Sequence, residues 1–284
     1  MATQTIAILG SGELAATLAR RLAQRERARR IVLVDDELGR ARGKALDIAQ
    51  CAPIDGFDAI VEGAPDLPAV GSFETMVVAD PADLADGPLR PPERLIERAV
   101  GASAAAIVVA AAYPCAVVET LIERGARHDR VLGSAPVAQA AALRRRLAAQ
   151  LDLEPREVAA TVMGAPPHDL VSPHAAATVG GVPIETSNPM ALRGALAELV
   201  RRAPGPVALA AAAARVVEAL LAPRLSVLPV VVCLHGEYGH RGAALAVPAR
   251  VGRGRLHGVL ELPLEPVERV AFDNAAQRRL ARRV

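Results

Sequence analysis

The residues with the clearest capacity for chemistry lie near the start of the chain. Ile6-Ala7-Ile8-Leu9-Gly10-Ser11-Gly12-Glu13-Leu14-Ala15 is an apolar run, a glycine turn and the opening of an amphipathic helix. Gly10 permits a sharp turn, Gly12 lets the backbone approach a ligand, and the small Ala15 lets helix and strand pack closely. A helix that begins after such a turn offers unpaired backbone N–H groups and the positive end of a dipole, which suits a pyrophosphate. A second apolar run, Ile31-Val32-Leu33-Val34, ends at Asp35, where an acid can hold a ribose hydroxyl. Gly10, Gly12 and Asp35 are therefore the candidate cofactor-binding residues, and the ligand they suit is a dinucleotide. The glycines alone would fit a plain strand-to-helix turn; the acid at the tip of the second strand favours the site.

These residues need a scaffold, and the chain supplies a regular one. Strands are predicted at Ile6–Leu9, Ile31–Val34, near Ala59–Glu62, at Thr75–Ala79, Ala105–Ala111 and Arg130–Gly133. Helices fall after Gly12, over Glu37–Ala49 and over Glu119–Arg124, with a turn at Cys51–Gly56. Asp80 to Pro92 holds four prolines and little periodicity, and reads as a loop. Alternation at this spacing predicts an α/β fold with a doubly wound parallel sheet of Rossmann type over residues 1–134. The pattern changes near residue 135. Helices over Ala138–Gln150, Leu192–Arg202 and Val207–Leu221 interleave with a strand at Val158–Gly164 and a β-ribbon from Ala175–Val179 and Val182–Ile184. Strands at Ser226–Leu234, Ala243–Pro248 and Gly258–Pro263 and a helix from about Pro266 to Arg283 follow, so residues 135–284 read as a mixed α+β domain. Arg278, Arg279, Arg282 and Arg283 on that last helix read as a solvated face.

Composition removes several function classes. Lys and Arg number 33 against 31 Asp and Glu, a net charge of +2, which argues against a nucleic-acid partner. Cys51, Cys115 and Cys233 are far apart and odd in number, which predicts no disulfide framework, no metal site and a reducing cytoplasm. The chain enters its first strand directly, so no signal peptide is expected. The most apolar run, Ala102 to Val118, is too short for a membrane span and is broken by Tyr113-Pro114.

In this order the segments resemble the lactate/malate dehydrogenase family, most of all the bacterial malate dehydrogenases that are similar to lactate dehydrogenases. Three blocks carry the resemblance. They are the Gly10-Ser11-Gly12 turn with Asp35; Gly43-Lys44-Ala45-Leu46-Asp47-Ile48 followed by Ala52-Pro53-Ile54-Asp55-Gly56-Phe57-Asp58; and Val227-Leu228-Pro229-Val230 through Gly236-Glu237-Tyr238-Gly239, Ala246-Val247-Pro248-Ala249 and Leu260-Glu261-Leu262-Pro263-Leu264. The resemblance implies a Rossmann domain, a substrate domain, a homo-oligomer (dimer or tetramer) and NAD as acceptor of a hydride from a 2-hydroxy acid. The Gly43–Ile48 stretch lies where the family makes dimer contacts, so pairing with an active relative is also open.

The chemistry the family requires is where this chain departs from it. Oxidising a 2-hydroxy acid needs a His base, a carboxylate to orient it, an Arg for the substrate carboxylate and a second Arg on a closing loop. Counting back from Gly181-Val182-Pro183-Ile184, the family His position falls on Pro166, and His168 sits two residues late. The family Asp and Arg positions become Gln139 and Ala142, while Arg144 matches a structural Arg. In the loop Leu84 to Arg94 the second Arg position becomes Pro92, with Arg90 and Arg94 out of spacing. The family's Asn-Pro becomes Tyr113-Pro114, and its small pair after the fourth strand becomes Asp80-Pro81. Glu13 at the helix start repels a pyrophosphate if it turns inward and is harmless if it points out.

Two readings follow. In the favoured one the chain is a catalytically degenerate family member, a pseudoenzyme with a scaffold, regulatory or nucleotide-sensing role. In the alternative it is a divergent NAD-dependent oxidoreductase acting on a malate-like 2-hydroxy acid, with His168 as base and Asp169, Arg90 or Arg94 nearby. An ordinary loop histidine is the competing reading of His168.

Overall fold

The computed structural model describes residues 4–79, 97, 99, 100, 105–184 and 189–281. The first apolar run forms β1 (Thr5–Leu9), every residue of it buried. Helix α1 (Glu13–Gln24) follows and buries Leu14, Ala15, Leu18, Ala19, Leu22 and Ala23, the one-sided stripe expected of a helix lying on a sheet. β2 (Arg30–Val34), α2 (Leu38–Asp55), β3 (Ile60–Ala64), β4 (Thr75–Val78) and β5 (Ala106–Val109) come next. Then follow α3 (Pro114–Glu123), β6 (Val131–Gly133) and α4 (Ala135–Gln150). The six strands lie in the order β3-β2-β1-β4-β5-β6 and all pair in parallel, as in a dinucleotide-binding sheet.

The turn expected at Cys51–Gly56 is helix instead. α2 runs through Pro53, and the terminator is Gly56, which adopts φ 72° and donates its N–H to Ala52 O at 2.8 Å. A proline in the last turn removes only one backbone donor, so the αL glycine and not the proline decides where the helix stops.

The second half begins with α4 and adds β7 (Val158–Ala159), β8 (Met163–Ala165), β9 (Asp169–Val171), β10 (Thr178–Val179) and β11 (Val182–Pro183). Helices α5 (Pro189–Leu199) and α6 (Pro206–Leu221), strands β12 (Ser226–His235), β13 (Arg241–Gly252) and β14 (Arg255–Val259), and helix α7 (Pro266–Ala281) complete it. The strand expected over Val158–Gly164 is two strands: β7 joins a small sheet with β10 and β11, and β8 pairs with β9 and β13. Gly164 makes the second pairing feasible. It adopts φ 104°, and a Cβ there would sit 2.3 Å from Asp169 O. β12 docks antiparallel on β6 through Val231 and Gly133, so one sheet continues from β3 to β9.

Of the terminal arginines expected on a solvated face, Arg278 is exposed and Arg279 is not. Arg279 is nearly buried and pairs with the buried carboxylate of Glu119 on α3, which also accepts the Ala244 N–H at 2.9 Å. Arg278 grips Asp169 through two hydrogen bonds of 3.2 and 3.0 Å. Arg282 and Arg283 lie outside the described residues. Among the described residues no helix is long and apolar enough to cross a membrane.

Candidate nucleotide and substrate crevice

The carboxyl ends of β1 and β4 flank the point where the strand order reverses, the place where ligands settle in open α/β sheets. Gly10 sits there with φ 111°, a conformation closed to side chains without strain, and donates its N–H to Val34 O at 2.8 Å. Gly12 is the N-cap of α1, and no side chain caps that helix start. Its first-turn N–H groups therefore face the crevice mouth as anion donors. Glu13 is exposed and Ala15 fully buried against the sheet.

Asp35 is buried at the tip of β2 and belongs to a network. Its Oδ2 accepts the Ser11 hydroxyl at 2.6 Å and Arg40 Nη2 at 3.1 Å, and its Oδ1 accepts the Glu37 N–H at 2.9 Å. Arg40 Nε also reaches Ser11 Oγ at 3.0 Å. Burial pushes the Asp35 carboxyl up, but the hydrogen bonds from Ser11, Glu37 and Arg40 and the Arg40 charge hold it below its ordinary value. Arg40 went unnoticed in the sequence; the signal was a basic residue one helical turn past the acid. The residues fit the adenosine and pyrophosphate portions of a dinucleotide: a sharp glycine turn, an open helix start and an ionised acid.

The other end of the crevice is built differently. Tyr113 ends the β5 segment and is the N-cap of α3. His168 lies in the turn between β8 and β9, exposed, after the buried Pro166 and Pro167. The two side chains meet: Tyr113 Oη and His168 Nε2 are 3.1 Å apart. His168 Nδ1 is 2.6 Å from Val200 O, which has no proton to give, so Nδ1–H donates there and Nε2 accepts from the tyrosine. Asp169 does not orient His168, because Arg278 holds it.

Gln139, on α4, is buried and donates from Nε2 to Pro167 O at 3.1 Å, while its Oε1 is buried without a hydrogen-bond partner. Ala142 on the same helix has no charge to offer. Arg90 and Arg94, with Asp80-Pro81 and Pro92, lie outside the described residues. The structure thus joins Ser11, Asp35 and Arg40 at one end and Tyr113 with His168 at the other. Among the described residues no cluster of three His, Cys, Asp or Glu converges to hold a metal ion.

Residues 140–282 match the family model described as lactate/malate dehydrogenase, alpha/beta C-terminal domain. The chain is 30% identical to the malate dehydrogenase of Anoxybacillus flavithermus over 303 residues, covering 98% of this chain and 96% of that protein. In three dimensions it is similar to the malate dehydrogenase of Salinibacter ruber, with a TM-score of 0.82 and 26% identity over 98% of this chain and 96% of the other. It also shares the fold of the Cryptosporidium parvum lactate dehydrogenase solved with lactic acid and nicotinamide adenine dinucleotide, with a TM-score of 0.86 at 23% identity, covering 99% of this chain and 97% of that one.

Proposed function

The chain belongs to the lactate/malate dehydrogenase family, and from that premise we propose that it is a member which has given up 2-hydroxy acid chemistry and keeps a nucleotide-binding role, as a regulatory, scaffold or sensing subunit. The observation that carries this reading is Gln139. The family mechanism needs a carboxylate beside an imidazole; here a neutral, buried amide is spent on the Pro167 carbonyl. An amide does not stabilise an imidazolium as a carboxylate does. The ligand of the retained half is NAD, held at its adenosine and pyrophosphate portions by Gly10, Gly12 and Asp35. When bound, NAD would supply a hydride acceptor, and the open start of α1 with Asp35 would orient it.

The reading places the nucleotide half in residues 1–134 and the former substrate half in residues 135–284. It makes the protein cytoplasmic, in keeping with three free cysteines, two of them buried. It also makes the protein a homo-oligomer, because Leu46 and Ile54 on α2 leave large apolar side chains 60% and 87% exposed. A direct titration with NADH, followed by the nucleotide's own fluorescence, tests it. The chain has no Trp, so protein emission interferes little. Saturable binding without turnover on a panel of 2-oxo acids is expected; no binding at millimolar NADH defeats the nucleotide role.

One observation favours a second reading. The Tyr113–His168 hydrogen bond puts an acidic O–H with an acceptor behind it at the end of β5. In that reading Tyr113 would give its proton to the oxygen of a 2-oxo acid reduced by NADH, and His168, having taken a proton from solvent at Nε2, would return one to the phenolate; the protein is then a divergent oxidoreductase. NADH-dependent reduction of any 2-oxo acid, lost in Tyr113→Phe, would establish it.

A further inference from the structure

At the amino end of β6, on the opposite edge of the parallel sheet from the carboxyl ends that form the nucleotide crevice, lies a cleft of about 650 Å³. Its position follows from topology. The turn at 127–130 feeds the amino end of β6, β12 runs antiparallel and delivers His235 there, and β14 packs across that end. The nucleotide site lies at the carboxyl ends, so the two sites do not overlap.

The walls are rich in cationic and protonatable groups. The His128 and His235 rings lie against one another at 4.3 Å between centroids, tilted by 53°, and both residues are exposed to the cleft mouth. His257 Nε2–H donates to Gly252 O at 3.0 Å. Arg127 grips Asp129 through two hydrogen bonds of 3.0 and 2.9 Å, and Arg255 stands 3.8 Å from the same carboxylate. One carboxylate therefore faces two guanidinium groups. Glu237 spends an oxygen on the His235 backbone N–H at 2.6 Å, and Arg241 sits opposite His235 in the β12–β13 register. Cys233 turns its Sγ to Gly242 O, and no metal-holding cluster is present among the described residues. Arg127 and Arg255 thus balance Asp129 and Glu237, and the three histidines are the groups that can tip the walls to net positive.

We propose that this cleft is a second small-molecule site, taking a multivalent anion that carries phosphate or carboxylate groups between His128, His235, Arg127 and Arg255. The inference is independent of whether the crevice at the other end binds a nucleotide or turns one over.

The adjacent imidazoles make binding sensitive to protons. Burial holds His235 below its ordinary pKa, and the nearby His128 and Arg241 charges add to this, with Glu237 acting the other way. Arg127 keeps Asp129 ionised, helped by the His128 and Arg130 charges against burial. An anion seated beside the two rings offsets their mutual repulsion and favours the imidazolium form, so protons are taken up on binding. By linkage, affinity rises as pH falls.

The test is imidazole ¹H–¹⁵N NMR on the full chain, titrated in separate arms with sodium pyrophosphate and sodium citrate, with sodium chloride at matched ionic strength as control. The expected result is saturable shifts of His128 and His235 with His168 unmoved. Affinity should be at least about tenfold tighter near pH ~6 than near pH ~8, since one proton taken up is worth up to tenfold per pH unit. His128→Gln, His235→Gln and Arg255→Gln should each weaken binding about tenfold, the loss of one charge-assisted contact. All three are exposed residues, and an unchanged His168 resonance reports an intact fold. Response to pyrophosphate alone assigns the ligand a phosphate, and to citrate alone a carboxylate. Shifts no larger than those with chloride, or affinities unaltered in all three variants, overturn the proposal.

Discussion

At the β1 end of the crevice, Gly10 turns the chain, α1 opens with uncapped N–H groups, and Asp35 sits ionised between Ser11 and Arg40. At the β5 end, Tyr113 leans on an exposed His168, two buried prolines precede it, and Gln139 holds a carbonyl. The first end is made mostly of backbone: a positive φ, a helix start, an acid at a strand tip. The second rests on individual side chains and their hydrogen bonds. Recognition by backbone is tied to the fold itself, whereas side-chain chemistry is not needed to fold and can be altered by single substitutions.

Gln139→Glu applies the largest expected strain to this contrast. An isosteric carboxylate there would be buried against Pro167 O with no cation bonded to it among the described residues, at a cost of about 3 kcal/mol near neutral pH. Its folded pKa would be raised, so the deficit is absent below the ordinary carboxyl value of about 4.3 and grows as pH rises to the folded value. Urea midpoints across that range check it. No cost at neutral pH would mean that a cation reaches the position after all and would erase the distinction between the two ends.

Asp35→Asn is the matching change at the other end. It should weaken NADH binding about tenfold, or about 1.4 kcal/mol. Unchanged affinity would show that the β1 end is no better preserved than the β5 end. The same pair of proteins sharpens the electrostatics. Asp35 has a folded pKa below its ordinary value of about 3.9, so its ionised form stabilises the fold above that pH and loses the contribution as pH falls through the folded value. The gap in urea midpoint between wild type and Asp35→Asn should close on the acid side.

The smallest effects belong to Tyr113→Phe and His168→Ala. Both should change stability by less than about 0.5 kcal/mol, as for exposed substitutions, and NADH affinity by less than about twofold. A large loss of 2-oxo acid reduction in either would replace the first functional reading with the second.

What the sequence made legible was local. The glycine turn, the apolar periods of β1 and α1 and the acid ending β2 lie within residues 6–35, and alternation of strands and helices was enough for the parallel sheet. The family resemblance added the empty positions at Pro166, Gln139 and Ala142. Tertiary partnerships stayed hidden. Tyr113 and His168 are 55 residues apart, Gln139 and Pro167 are 28 apart, and nothing in either neighbourhood marks the pairing. Arg279 looked like surface because it sits among arginines, yet its partner Glu119 lies 160 residues earlier. The Val158–Gly164 run was apolar enough for one strand, but apolar period does not say which sheet each part joins.

The Glu119–Arg279 pair also sets an order of events during synthesis. A ribosome releases α3 well before α7. Until α7 emerges, the bond between Glu119 and Arg279 cannot form, and until β12 emerges, the outer edge of β6 has no strand to close it. The nascent amino-terminal half therefore carries an open edge, a form prone to pairing with other chains. A chain stopped before β12 keeps that edge exposed.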